Sequence, residues 1–106
     1  MATRTITSAD NGACFALHDS ATTIELDGNM GSHFKIRFVH VTSLDSQPKL
    51  IQAKPGLSIR GWIPNVEVTE FYLYTDGDAV ELMFDELSNV WQIVARVIPP
   101  KTLVPL

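Results

Sequence analysis

At 106 residues, with 45% hydrophobic and 19% charged side chains, the chain has the size and composition of one folded domain, which argues against a disordered chain. Its formal net charge is −4, and its eight Lys and Arg are scattered singly or in pairs, so the basic stripe of a direct DNA or RNA binder is missing. One cysteine excludes an internal disulfide, and no apolar run approaches the ~20 residues needed to span a bilayer.

The first ten residues, MATRTITSAD, lack the apolar core of a secretory signal, which points to a chain made in the cytoplasm. Residues 1–8 read as an extended N-terminal arm that includes a first strand, Arg4–Thr7. Short strands at Ala13–Leu17 and Thr22–Leu26 follow, between the turn signals Asp10–Gly12 and Asp27–Asn29, as if forming a hairpin-like unit. The stretch FKIRFVHV, within a strand His33–Thr42, puts Phe34, Ile36 and Phe38 on one face and Lys35 and Arg37 on the other. A polar loop with Pro48 spans Ser43–Lys49, and strands at Leu50–Ala53 and Leu57–Arg60 flank the Pro55–Gly56 turn.

Val66–Tyr74 reads as a strand apolar on both faces, hence a central strand or a subunit interface. After the Asp76–Asp78 turn, Ala79–Asp85 sets Val80, Leu82 and Phe84 against Glu81. A further turn at Leu87–Asn89 leads into Val90–Ile98, where alternation groups Trp91, Ile93, Ala95 and Val97 against Gln92 and Arg96. Helical periodicity is nowhere sustained. The expectation is an all-β, antiparallel β-sandwich over residues 9–98, jelly-roll-like or barrel-like, with eight or nine short strands. Residues 99–106 read as an extended Pro-rich tail, apolar at Leu103, Val104 and Leu106, that either docks on its own domain or a neighbour or is a frayed end.

Chemistry is sparse. On a strand, Cys14 and His18 share a face but stand roughly 13 Å apart, beyond the reach of a catalytic pair; the reading is a small buried thiol and a histidine at a strand end. His33 and His40 face opposite ways on one strand, and no zinc, calcium-loop, P-loop or nucleophile-elbow motif is complete. Acidic side chains are plentiful, but so small a sandwich leaves little room for a carboxylate-lined cleft. The expectation is therefore no enzyme, no metal and no cofactor. Trp62, between Gly61 and Pro64, either closes one end of the sandwich or serves as a contact residue.

RTITSADNG, a short strand, SATTIEL, FKIRFVHV, LIQAKPGLSIRG and a late VELMFDELSNVWQIV occur in that order from Arg4 to Val97. Together they resemble a β-rich module of bacteriophage virion proteins. The module is found in tail-fibre and tailspike chains and is similar to some small capsid decoration (cement) proteins. The module often has a basic residue after the Asp-Asn-Gly turn, where this chain has Ala13, and a proline after Leu26, where this chain has Asp27. The resemblance implies a non-enzymatic structural protein, a homotrimer on the virion surface that clamps subunits of the major capsid protein. Its alternative is a tail component recognising host-surface carbohydrate. The capsid-contact candidates are Arg4, Ile6, Trp62, Leu103, Val104 and Leu106, and the oligomer-interface candidates are Phe71, Tyr72 and Tyr74.

Overall fold

Alternating apolar and polar residues become strands almost wherever the pattern predicts them. The computed structural model describes residues 3–17, 23–31, 33–41, 48–63 and 66–98, the side chains of 62 and 63 excepted. The strands are β1 (Thr3–Ile6), β2 (Cys14–Leu17), β3 (Thr23–Leu26), β4 (Lys35–His40) and β5 (Lys49–Ala53). They continue with β6 (Ile59–Ile63), β7 (Val66–Val68), β8 (Glu70–Leu73), β9 (Ala79–Asp85) and β10 (Val90–Val97). A single 3-10 turn, Ser8–Asp10, is the one helical element among the described residues.

Two mixed sheets result, one ordered β1-β3-β5-β8 and the other β2-β4-β9-β10-β6-β7. From β1 to β6 the chain crosses from one sheet to the other at every step. A strand that leaves for the opposite sheet and comes back runs in its original direction, so β1–β3, β3–β5 and β2–β4 pair in parallel, as does β6 with β10. Antiparallel pairing is confined to β5–β8, β4–β9, β9–β10 and β6–β7. A uniformly antiparallel jelly roll, which strand alternation suggested, is therefore not the observed pairing. Alternation reports which face is buried and carries no information on strand direction.

The same crossing undoes the hairpin expected over residues 8–28, because β2 and β3 lie in different sheets. The Asp10–Gly12 turn instead stitches the loop to β4: the Gly12 N–H donates to the Lys35 carbonyl at 2.7 Å, and the Lys35 N–H to Asn11 Oδ1 at 3.0 Å. The stretch expected as one strand from 66 to 74 breaks at Thr69 and divides between the sheets as β7 and β8. Of the expected N-terminal arm, residues 3–6 form an edge strand of the four-stranded sheet, with Ile6 fully buried. The expected tail, 99–106, lies outside the described residues.

Both sheets contribute to one core. Ile6, Ile24, Leu26, Ile51, Phe71 and Leu73 come from the four-stranded sheet, with Ile36, Phe38, Leu82, Phe84 and Trp91 from the other and Phe34 from the residue just before β4. Trp91 sits at its centre, edge-on to Phe34 and Phe84 at centroid distances of 5.5 and 5.3 Å. Its indole N–H donates to the Asp27 carbonyl at 2.9 Å, which satisfies a buried donor and ties the end of β3 to the opposite sheet.

Candidate interaction surface

Strand β10 begins as its alternation dictates, with Trp91 and Ile93 buried and Gln92 turned outward. Its pairing with β9 then shifts between Ile93 and Ala95, leaving Val94 as an extra residue. A bulge of one residue reverses the faces that follow. Ala95 now pairs with Glu81 and Val97 with Ala79 on the outer surface, while Arg96 pairs with buried Val80 and turns inward. The sequence pattern had placed Ala95 and Val97 inside and Arg96 outside; the bulge corrects all three, and Val97 is 57% exposed.

The inward turn brings Arg96 to Asp78, Nη2 to Oδ1 at 2.9 Å, with side-chain exposures of only 13% and 3%. Burial lowers the guanidinium pKa, and the carboxylate charge works in the opposite direction. Asp78 ends the 75–78 turn, which is fastened to β4: the His40 N–H donates to the Asp78 carbonyl at 2.8 Å, and the Gly77 N–H to the His40 carbonyl at 2.9 Å. From there the Asp78 carboxylate accepts the Tyr74 N–H at 3.0 Å, and Arg96 Nη2 donates to the Tyr72 carbonyl at 3.4 Å. Arg96 also lies over the Phe71 ring, 5.4 Å from its centroid. Arg96 of the six-stranded sheet and Asp78 of the turn before β9 thus hold β8, the edge strand of the other sheet.

On this frame stand Tyr72 and Tyr74, 39% and 58% exposed, with ring centroids 5.7 Å apart and planes inclined by 36°. These are two of the predicted interface residues, and the fold brings them together on one rim. Phe71 faces the core and is no surface residue, because successive strand residues point to opposite sides. The reading of this strand as central is also corrected: among the described residues β8 has one strand neighbour, β5. The tyrosine side continues inward along the registers Tyr72–Leu50–Thr23–Thr3 and Glu70–Gln52–Glu25–Thr5.

Of the capsid-contact candidates, Arg4 is exposed on β1, where it pairs with Asp10 at 3.1 Å and covers the Phe15 ring at 4.5 Å. Ile6 is wholly in the core and cannot be a contact residue of the folded chain. Trp62 lies on β6, and its side chain, like Leu103, Val104 and Leu106, falls outside the described residues. Cys14 is exposed on edge strand β2 and not buried; His18 is outside the described residues. Lys35 and Arg37, the nearest approach to a basic patch, both engage Glu81, at 3.3 and 3.0 Å. Their hydrogen bonds, Arg37's first, lower the Glu81 carboxyl pKa.

A shallow groove of about 250 Å³ lies beside this trio, lined by Gly12, Ala13, Cys14 and Ile36 as well. Its two cations, Lys35 and Arg37, are both paired with Glu81. No three His, Cys, Asp or Glu side chains group as metal ligands among the described residues, and no described helix is long and apolar enough to cross a membrane. Sequence reasoning missed Asp78, Arg96 and Val94. The last two are hidden by the bulge, while Asp78, closing an Asp-Gly-Asp turn, was read only as turn chemistry. No protein-family model matches the chain, and a search of curated proteins finds no match either.

Proposed function

We propose that this chain is a bacteriophage capsid decoration protein, a non-enzymatic homotrimer that binds the assembled capsid surface and clamps neighbouring major capsid protein subunits. The two mixed sheets form its sandwich body. The order of sequence features from Arg4 to Val97 supplies the family reading, and the tyrosine rim carries the physical argument. Two large aromatic side chains, one on an edge strand and one just past its end, are exposed side by side and held by a buried ion pair. Preorganised aromatic surface of this kind loses little entropy on docking. Binding only the assembled state stabilises that state by mass action, and many symmetric copies add avidity. Capsid contact then rests on Arg4 among the described candidates, with Trp62, Leu103, Val104 and Leu106 as further contact positions, while Tyr72 and Tyr74 serve the contacts between copies on which that avidity depends. Localisation follows: synthesis in the host cytoplasm and residence on the virion.

The test mixes purified protein with undecorated capsids assembled from the major capsid protein of the same genome, then challenges them with heat or chelator. Co-sedimentation and a raised disruption temperature are expected, both weakened by Tyr72→Ala with Tyr74→Ala. Absence of binding refutes the proposal. A second reading, recognition of a host-surface carbohydrate by a tail component, is favoured by the same rim. Tyrosine faces stack on sugar rings, and Glu70 and Gln52 lie on the adjoining register as hydrogen-bonding groups. A glycan array separates the two: saturable binding to one sugar class that is lost in Tyr74→Ala supports the tail reading.

A further inference from the structure

An edge strand exposes a row of backbone N–H and C=O groups that invites another strand. On β8 that row follows from the pairing. The Ala53 N–H donates to the Thr69 carbonyl at 2.8 Å, so Thr69 turns its backbone toward β5. In an antiparallel pair the direction alternates, which aims the backbone groups of Glu70, Tyr72 and Tyr74 away from β5. Two of these outward groups are the ones that Arg96 and Asp78 engage, the Tyr72 carbonyl and the Tyr74 N–H. The ion pair therefore occupies the donor and acceptor positions that a neighbouring strand would use.

We infer that the Asp78–Arg96 pair is a plug on a strand-addition site, and that the partner it excludes is an extended segment of a second copy of this chain. The occupant follows from the geometry. The plug presents one donor and one acceptor to β8, as an added strand does, and a second β8 opened by loss of its own plug carries the same outward set and so matches it in an antiparallel pairing. Tyr72 is central in the outward set Glu70, Tyr72, Tyr74, so a two-fold β8–β8 pairing about Tyr72 juxtaposes the tyrosine rims of both copies. The Val94 bulge belongs to the same device, because without it Arg96 faces solvent. A chain built to present many copies of itself on one surface has reason to keep such an edge closed, since paired edges would join copies before they reach their site.

Two measurements test this. In the wild-type protein, amide hydrogen exchange by NMR is expected to show the Tyr74 N–H protected, while the outward N–H groups of Glu70 and Tyr72 exchange fast. Protection of both Glu70 and Tyr72 in wild type means that the edge is already paired and overturns the inference. In Arg96→Met and, separately, Asp78→Ala, light scattering with size exclusion is expected to give at least twice the wild-type particle mass at equal concentration. Far-UV circular dichroism should remain native, and exchange at Glu70 and Tyr72 should slow at least tenfold. Adding Tyr72→Pro, which removes an outward N–H without removing a bond to β5, should return the mass to that of wild type. A folded Arg96→Met or Asp78→Ala protein of unchanged mass refutes the plug. If neither variant folds, the wild-type exchange pattern decides.

Discussion

Gly61 lies in β6 with φ near +100°, a backbone conformation that a side chain strains. A Cβ there would also meet Gln92 Nε2 at 2.5 Å and the Ile93 carbonyl oxygen at 3.1 Å. The Gln92 amide can swing away only by giving up its bonds to the Arg60 and Ile93 carbonyls, at 3.3 and 3.1 Å. Gly61→Ala is expected to cost about 1–3 kcal/mol in urea unfolding. At Trp91 the loss is of another kind. Trp91→Phe keeps an aromatic ring between Phe34 and Phe84 but removes the donor to the Asp27 carbonyl. That costs about 1–3 kcal/mol, visible as a lower urea midpoint with an unchanged slope. Trp91 as a core residue was legible from alternation alone. The bond that orients it was not, because its acceptor is a backbone carbonyl 64 residues away in sequence.

At the scale of elements, legibility divides by the kind of information a strand carries. Phe34, Ile36 and Phe38, and again Val80, Leu82 and Phe84, are buried as their spacing requires. Strand partners are a different matter, since a parallel and an antiparallel strand of the same sequence bury the same face. The crossings that pair β3 with β1 and β5 depend on the whole path of the chain, and so does the break at Thr69. Val94 is the sharpest case. One inserted residue inverts every face after it, so the pattern misassigned Ala95, Arg96 and Val97 together, and with them half of the candidate site. Deleting Val94 restores strict alternation, turns Arg96 outward and leaves the Asp78 carboxylate buried without its cation. Breaking a buried pair from one side costs about 3–5 kcal/mol. Val94→Ala, which keeps the bulge at a position 45% exposed, is expected to stay within about 1 kcal/mol of wild type, and thermal unfolding of the two variants separates length from side chain.

Across the whole molecule, the surface ion pairs set how the fold responds to pH. The Lys54 ammonium donates to Asp27 at 3.0 Å; this bond, then the Gly28 N–H, lowers the Asp27 pKa, and the same bond raises that of Lys54. Glu81 is lowered by Arg37 and Lys35, and Asp85 by Ser88 first, through its side chain and its N–H. For these carboxylates the folded state holds the charged form more strongly than the unfolded chain. Their contribution is complete above the ordinary carboxylate pKa and is lost as pH falls through the lowered folded values. Lys54 has the opposite sign: its contribution is complete below the ordinary lysine pKa of 10.5 and is lost as pH rises through the raised value. Between these limits the contribution of these pairs is constant, and the acid limb below is one that added salt makes shallower because the pairs are solvent-exposed. Asp27 allows the argument to be localised. Its carboxylate answers Lys54 beyond the end of β5, while its carbonyl accepts from Trp91 in the opposite sheet. Lys54→Met should therefore move the Asp27 carboxyl titration, followed by NMR, up toward its ordinary value of 3.8 while the Trp91 indole N–H resonance holds its position at neutral pH. If the indole resonance shifts together with the carboxyl, the side-chain pair positions the carbonyl and the two ties act as one; a fixed indole resonance means that the sheets are joined there by the backbone of Asp27 independently of its charge.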